Sequence, residues 1–164
     1  SMSELPQRLV RAFGDANAFE PTPEGTYRQT TTVFDAEVEP SVGEDGESQF
    51  FVTARVPLLS HIVKSDVAPV VEDGWYETFA RRVKDIGDVT GGNHDLNPTV
   101  KREAGEAVAS VEFSDIDPSR GVADAKAFVD YVEGTYVQGV IPGYEYTGPV
   151  AGLLAEGRRA AGAE

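Results

Sequence analysis

Apolar and polar residues alternate most regularly in two stretches of the chain. Between residues 107 and 113 every second side chain is apolar, and the same period of two runs through residues 49–58. This period predicts strands with one buried face. Residues 27–38, rich in threonine and then alternating with acids, predict one long strand with a bulge. Residues 100–103 predict a hairpin partner for 107–113, with the turn at 104–106.

Helical periodicity is strongest near the C-terminal end. Val122, Ala125, Val129, Val132 and Tyr136 recur at steps of three and four, so they share one face of a helix that ends at residues 139–142. Residues 73–86 predict a second amphipathic helix. Shorter helices are expected over residues 3–13 and from residue 149 onwards.

The order of these elements predicts an α+β fold, an antiparallel sheet of four to six strands with helices packed on one face. We expect a single domain over residues 3–156 and a loose tail over 157–164. Between the main elements, residues 15–25 are expected to form a loop and residues 61–63 a short strand. Residues 68–71 are expected to be extended because of the proline at position 69.

Charge changes this picture more than any motif does. The 164 residues carry a net charge of −14, and lysine occurs only four times. Such a surface stays hydrated when molar salt screens charge over about 3 Å, so we expect the protein to come from a halophile. The acidic balance argues against a nucleic-acid partner. Cysteine is absent and no apolar run is long enough to span a membrane, so a cytoplasmic protein without a membrane partner is expected.

One acidic loop contains candidate metal ligands. Asp85, Asp88, His94 and Asp95 lie within eleven residues, and oxygen ligands suit Mg²⁺ or Mn²⁺. Their spacing matches no ligand motif, and a solvated acidic loop explains the same residues. The sequence therefore predicts no cofactor, and a metal-assisted hydrolase using this loop is the alternative function.

Three tyrosines are candidates for contact with a partner protein. Tyr131 lies off the apolar stripe of its helix, whereas Tyr144 and Tyr146 stand two apart in a segment flanked by glycine and proline. Tyrosine is enriched at protein contacts because it buries a ring while its hydroxyl stays wet. The alternative is that these rings cover an edge of the protein's own sheet.

The order of the elements, with main helices at 75–86 and 122–140, resembles the type III secretion chaperone-like fold, which includes bacterial YbjN-type proteins. The acidic, lysine-poor sequence, with Gly139-Val140-Ile141-Pro142-Gly143-Tyr144 after a long helix, is also similar to an uncharacterised haloarchaeal family. The fold resemblance implies a protein-binding module, often dimeric, without catalytic residues. We therefore expect a non-enzymatic binding or chaperone-like module of a halophilic archaeon, with a homodimer as one arrangement and a structural subunit of a larger complex as a further option.

Overall fold

The computed structural model describes residues 5–87, 90 and 93–162. The helices are α1 (Gln7–Ala16), α2 (Pro69–Lys84), α3 (Pro118–Gln138) and α4 (Gly148–Gly162), and a 3₁₀ turn spans Leu59–His61. The strands are β1 (Phe19–Pro21), β2 (Tyr27–Gln29), β3 (Asp35–Val42), β4 (Ser48–Pro57), β5 (Thr99–Glu103) and β6 (Glu106–Asp115).

The strands of the described residues form one antiparallel sheet of six strands, in the order β1-β2-β3-β4-β6-β5. Along β4, Phe50 and Val52 are fully buried, whereas Phe51 between them is 44% exposed. The alternation of side chains therefore places one face of the sheet in the core and exposes the other face to solvent. The predicted α+β fold, with helices on one face of an antiparallel sheet, is confirmed.

Helix α3 forms the centre of the helical layer. Its predicted apolar stripe is buried, with Phe128 at 0% and Val129 at 1% exposure. Burial of each large side chain of this kind contributes about 1.5–3 kcal/mol. The hydroxyl of Tyr136, also on the stripe, donates a hydrogen bond of 2.8 Å to the carbonyl oxygen of Pro57. This bond ties the end of α3 to the end of β4.

The strand predicted over residues 27–38 is broken into β2 and β3, which pair with each other. Threonine hydroxyls explain the break. The backbone N–H of Phe34 donates to Oγ1 of Thr32 at 3.2 Å, and that hydroxyl donates to Oε1 of Glu133 at 2.7 Å. A threonine that bonds its own backbone favours a turn over a strand. The β propensity of threonine was therefore overridden by its hydroxyl group.

Helix α2 begins earlier than predicted. Pro69 is its first residue and the extended residue is Ala68, so the expectation of an extended chain over 68–71 was wrong beyond residue 68. Proline suits the first position of a helix, because the N–H that it lacks has no partner there, and it restricts only the residue before it. The predicted strand at 61–63 is likewise replaced by the 3₁₀ turn and a single bridge from Val63 to Tyr146.

One further difference lies near the start of the domain. Strand β1 occupies part of the predicted loop and pairs with β2. At the other end, helix α4 continues through Gly162, and the loose tail over residues 157–164 stays a prediction. Among the helices of the described residues, none is both long and apolar enough to cross a membrane.

Candidate functional site

A groove runs between α2 and α3. The part beside the C-terminal end of α3, which we call the apolar half, has a volume of about 310 Å³. Its most buried large apolar lining residues are Trp75 and Phe79, which we call its floor, and the half-buried Val140 and Ile141 also line it. Its described lining residues are Gly74, Trp75, Thr78, Phe79, Arg82, Thr135, Gln138, Gly139, Val140 and Ile141. An apolar floor with a few polar groups at the rim is typical of a binding site.

The groove continues into a second part of about 290 Å³, which we call the polar half. Arg82, Thr135 and Gln138 line both halves, so the two form one continuous groove. The polar half is completed by Asp85, Tyr131 and Gly134. The hydroxyl of Tyr131 donates a 2.6 Å hydrogen bond to the carbonyl oxygen of Arg82, which joins the two walls.

Two glycines widen the groove. A Cβ atom built on Gly74 in α2 or on Gly134 in α3 would meet no heavy atom within 4 Å. Glycine inside a helix costs about 1 kcal/mol relative to alanine, and neither position has a close neighbour that requires it. The space that a side chain would fill is left open on both walls.

The other two candidate tyrosines do not line this groove within the described lining residues. The hydroxyl of Tyr146 accepts a hydrogen bond of 2.8 Å from the N–H of Ile141 and lies 3.2 Å from the carbonyl oxygen of the same residue. Tyr144 is half-buried against the core. Tyr146 thus serves the internal packing of the segment after α3, while Tyr131 is the candidate that faces the groove.

His94 lies between two carboxyl groups in a nearly buried cluster, and it is not among the described lining residues of the groove. Its Nε2 is 2.9 Å from Oδ2 of Asp115, at the end of β6, and its Nδ1 is 2.6 Å from Oδ2 of Asp124, in α3. The contact with Asp124 is a close approach without hydrogen-bond alignment. The His94 side chain is 7% exposed, and its ring centre lies 4.6 Å from that of Phe113.

Asp115 is the centre of this cluster. Arg120 donates to it twice, from Nε to Oδ2 at 2.7 Å and from Nη2 to Oδ1 at 2.8 Å, and the N–H of Asp117 donates to Oδ1 at 2.7 Å. Burial opposes ionisation of this carboxyl, but the bonds from Arg120 and Asp117 outweigh burial, so the pKa of Asp115 lies below its ordinary value. The cluster fastens the loop before β5 to the first turns of α3.

The structure does not bring the four candidate metal ligands together as a described group. Asp85 lines the polar half of the groove, Asp95 is exposed, and His94 contacts Asp115 and Asp124. Asp88 lies outside the described residues. Within the described part of the chain, no group of three or more histidine, aspartate or glutamate side chains is placed to hold a metal ion. The metal-assisted hydrolase stays a prediction.

Sequence reasoning missed the partners of His94, although a signal for them was present. Asp115 continues the inward positions of β6 after Phe113, and Asp124 precedes Phe128 by one helical turn on the buried face of α3. A carboxylate at an inward position needs a partner because burying an unpaired charge is costly. The groove residues Trp75 and Arg82 carried no comparable signal.

A separate cleft of about 340 Å³ lies between the start of β3, the end of β4 and the start of α4. Its charged lining residues, among them Arg55 and Glu106, have both signs, and these two lie 3.9 Å apart. Because its charges compensate one another, this cleft defines a ligand less well than the groove between α2 and α3 does.

The comparisons with known proteins concern the family and leave the function open. A family model matches residues 14–156. No curated protein and no solved structure matches the chain. The chaperone-like resemblance and the haloarchaeal origin therefore stay predictions. Because the match covers most of the chain, the protein belongs to a family of unknown function (DUF5813).

Proposed function

We propose that this protein is a non-enzymatic protein-binding module, and that the groove between α2 and α3 takes a segment of the partner. The observation that carries this proposal is the open groove itself, with Trp75 and Phe79 as its floor and Gly74 and Gly134 in its walls. Aromatic side chains at the base of a groove act as anchors at protein interfaces.

The dimensions of the groove favour an extended segment over a helix. From Trp75 to Arg82 the apolar half follows about 10 Å of helix α2 at 1.5 Å per residue. A bound amphipathic helix needs apolar anchors over two turns or more, whereas an extended segment needs one pocket for one side chain. A volume of about 310 Å³ suits a single large apolar anchor.

A randomised peptide library tests this role. We expect selected peptides to bind the wild-type chain and to lose at least about tenfold in affinity when Gly134→Leu or Gly74→Leu fills the groove. Both variants should remain folded, because leucine favours a helix and its Cβ atom would meet no heavy atom within 4 Å at either position. Gly152→Leu is the matched control, since Gly152 is an exposed helical glycine with equal room and is not among the described lining residues of the groove.

The proposal fails if the selected peptides bind the filled variants as well as they bind the wild type and the control. It also fails if libraries with free termini and with blocked termini both yield no binder. A homodimer stays a separate prediction, which sedimentation of the wild-type chain in molar salt tests.

We propose that the protein acts in a cytoplasm of high salt. The supports for this setting are the net charge of −14 and the ratio of four lysines to ten arginines. Surface carboxylates at this density repel one another at low ionic strength, and salt screens that repulsion. The melting temperature should therefore rise from low to molar potassium chloride. A flat or falling curve would remove this part of the proposal.

A further inference from the structure

The cationic side chains at the end of α2 stand out in an acidic protein. Arg81, Arg82 and Lys84 take part in none of the salt bridges between described residues. The helix dipole favours basic residues in a last turn, which accounts for their presence there. It does not determine which of them faces the groove, and in the structure that residue is Arg82.

Arg82 occupies a particular place along the groove. Among the described lining residues of the apolar half it is the only charged one, and it is also shared with the polar half. Its Cα lies about 10 Å along the helix from that of Trp75. Because the side chain of Arg82 is exposed, its guanidinium group can reach a carboxylate in the groove and bind it through two parallel N–H groups.

The continuity of the groove determines what kind of carboxylate is expected. Because the apolar half opens into the polar half at Arg82, a bound chain can pass Arg82 and continue. This geometry favours a side-chain carboxylate within a segment over the carboxylate at the end of a chain. Beyond Arg82, Asp85 lines the polar half and would repel a second acidic residue.

We infer, resting on the proposed function, that the occupant is an extended, internal segment of a partner protein with an acidic side chain. Its large apolar side chain sits on Trp75 and Phe79. A carboxylate about three residues away pairs with Arg82, because an extended chain rises about 3.3 Å per residue. The part of the segment beside Asp85 is neutral or basic.

The test uses the full chain and a library of short randomised peptides, flanked on both sides by a fixed linker so that no free terminus is offered. We expect the selected sequences to share a large apolar residue and an Asp or Glu about three positions from it. One selected peptide is then compared with its Asp→Asn or Glu→Gln form, against the wild-type chain and Arg82→Gln.

Each single change should weaken binding about threefold to tenfold, and the two together should weaken it no further than one alone, because both remove the same ion pair. Arg81→Gln is the matched control: it removes the same charge from the same turn, and Arg81 is absent from the described lining residues of the groove. It should leave the affinity within about twofold.

The inference is overturned if peptides bind in a groove-dependent manner but the two changes are additive, or if Arg81→Gln weakens binding as much as Arg82→Gln does. A second library with free C-termini completes the test: the inference is also overturned if binders come only from that library and amidation of their C-terminus abolishes the binding. In all three cases the groove still binds peptide, so the proposed function survives. Failure of the groove-filling variants to weaken binding would instead remove the proposed function itself.

Discussion

The two ends of helix α3 differ. Its first turns pack against other parts of the protein, and we call them the closed part, whereas its last turns line the groove, and we call them the open part. At its start, Asp117 caps the helix by accepting from the N–H groups of Ser119 and Arg120 at 3.0 and 3.4 Å, and Asp124 meets His94. In its second half, Thr135 and Gln138 line the groove. The closed part fastens the domain together, while the open part leaves a surface for another molecule.

The glycines of α3 show the difference most clearly. A Cβ on Gly121 would lie 2.1 Å from Cε2 of Phe50, a fully buried ring, so the close packing of helix on sheet requires glycine there. A Cβ on Gly134 would meet nothing within 4 Å. One helical glycine is therefore required by close packing and the other is not, and only the residues that face each glycine from neighbouring elements decide which is the case.

The largest expected effect is on the closed part. His94→Ala empties a nearly buried site that lies between Asp115 and Asp124 and against the ring of Phe113, and we expect a loss of about 3–4 kcal/mol in the free energy of unfolding. Denaturant unfolding at neutral pH measures this loss. His61→Ala is the control, since His61 is exposed, and it should change stability by less than about 0.5 kcal/mol. If His94→Ala lost no more stability than His61→Ala does, the cluster around His94 would contribute no stability.

Gly121→Ala should be the next most damaging change. The added methyl group overlaps the ring of Phe50, which is held inside the core, and we expect a loss of about 2–3 kcal/mol. The midpoint of urea unfolding is the measurement. A midpoint equal to that of the wild type would mean that α3 can move away from β4 without penalty, which contradicts close packing between Gly121 and Phe50.

The dependence of the free energy of unfolding on acid pH tests the role of Asp115. Because its pKa lies below the ordinary value of 3.8, the ionised carboxylate stabilises the fold fully above that value, and this contribution is lost as the pH falls through the lower pKa of the folded state. Asp115→Asn should therefore destabilise the protein by about 1.5–2 kcal/mol at neutral pH, with the difference from wild type shrinking below about pH 4.

Unfolding free energies of both proteins across acid and neutral pH would show this convergence. Asp45→Asn, at an exposed turn, provides the control for the loss of one negative charge. If the difference between Asp115→Asn and wild type stayed constant down to the lowest pH, ionisation of Asp115 would not be the source of its stabilising effect.

The smallest expected effect is a gain in the open part. Gly134→Ala replaces a helical glycine where space is free, so we expect a stabilisation of about 1 kcal/mol, opposite in sign to the effect of Gly121→Ala. Thermal unfolding of the two alanine variants side by side measures the contrast. A loss of stability in Gly134→Ala would contradict the open space described at that position.

The periodic elements of the fold could be predicted from the sequence with good accuracy. The alternation in β4 and β6 and the stripe of α3 marked which side chains would be buried, because both periods report one face of an element directly. The errors lie where a single side-chain hydrogen bond or a proline decides the backbone. Thr32 turned a predicted strand, and Pro69 began a helix instead of delaying one.

The candidate sites could be predicted only in part. His94 was identified from its acidic neighbourhood in sequence, yet its partners Asp115 and Asp124 come from a strand and a helix further along the chain. Tyr131 was identified from its position off the apolar stripe, and it does line the groove. The sequence could not predict that Trp75 and Arg82 form the opposite wall. The periodicity of a helix shows which of its faces is buried, but it does not show which other helix packs beside it.

The amino-acid sequence by itself determined the class of the fold, the two faces of the sheet and the acidic character of the surface, since these depend on local periodicity and composition. Tertiary structure alone decided which carboxylates enclose His94, which glycine is packed and which is open, and that α2 and α3 leave a groove with Arg82 at its middle. The physical reason is that these features arise from the spacing between elements distant along the chain, and that spacing is set by how the whole core packs.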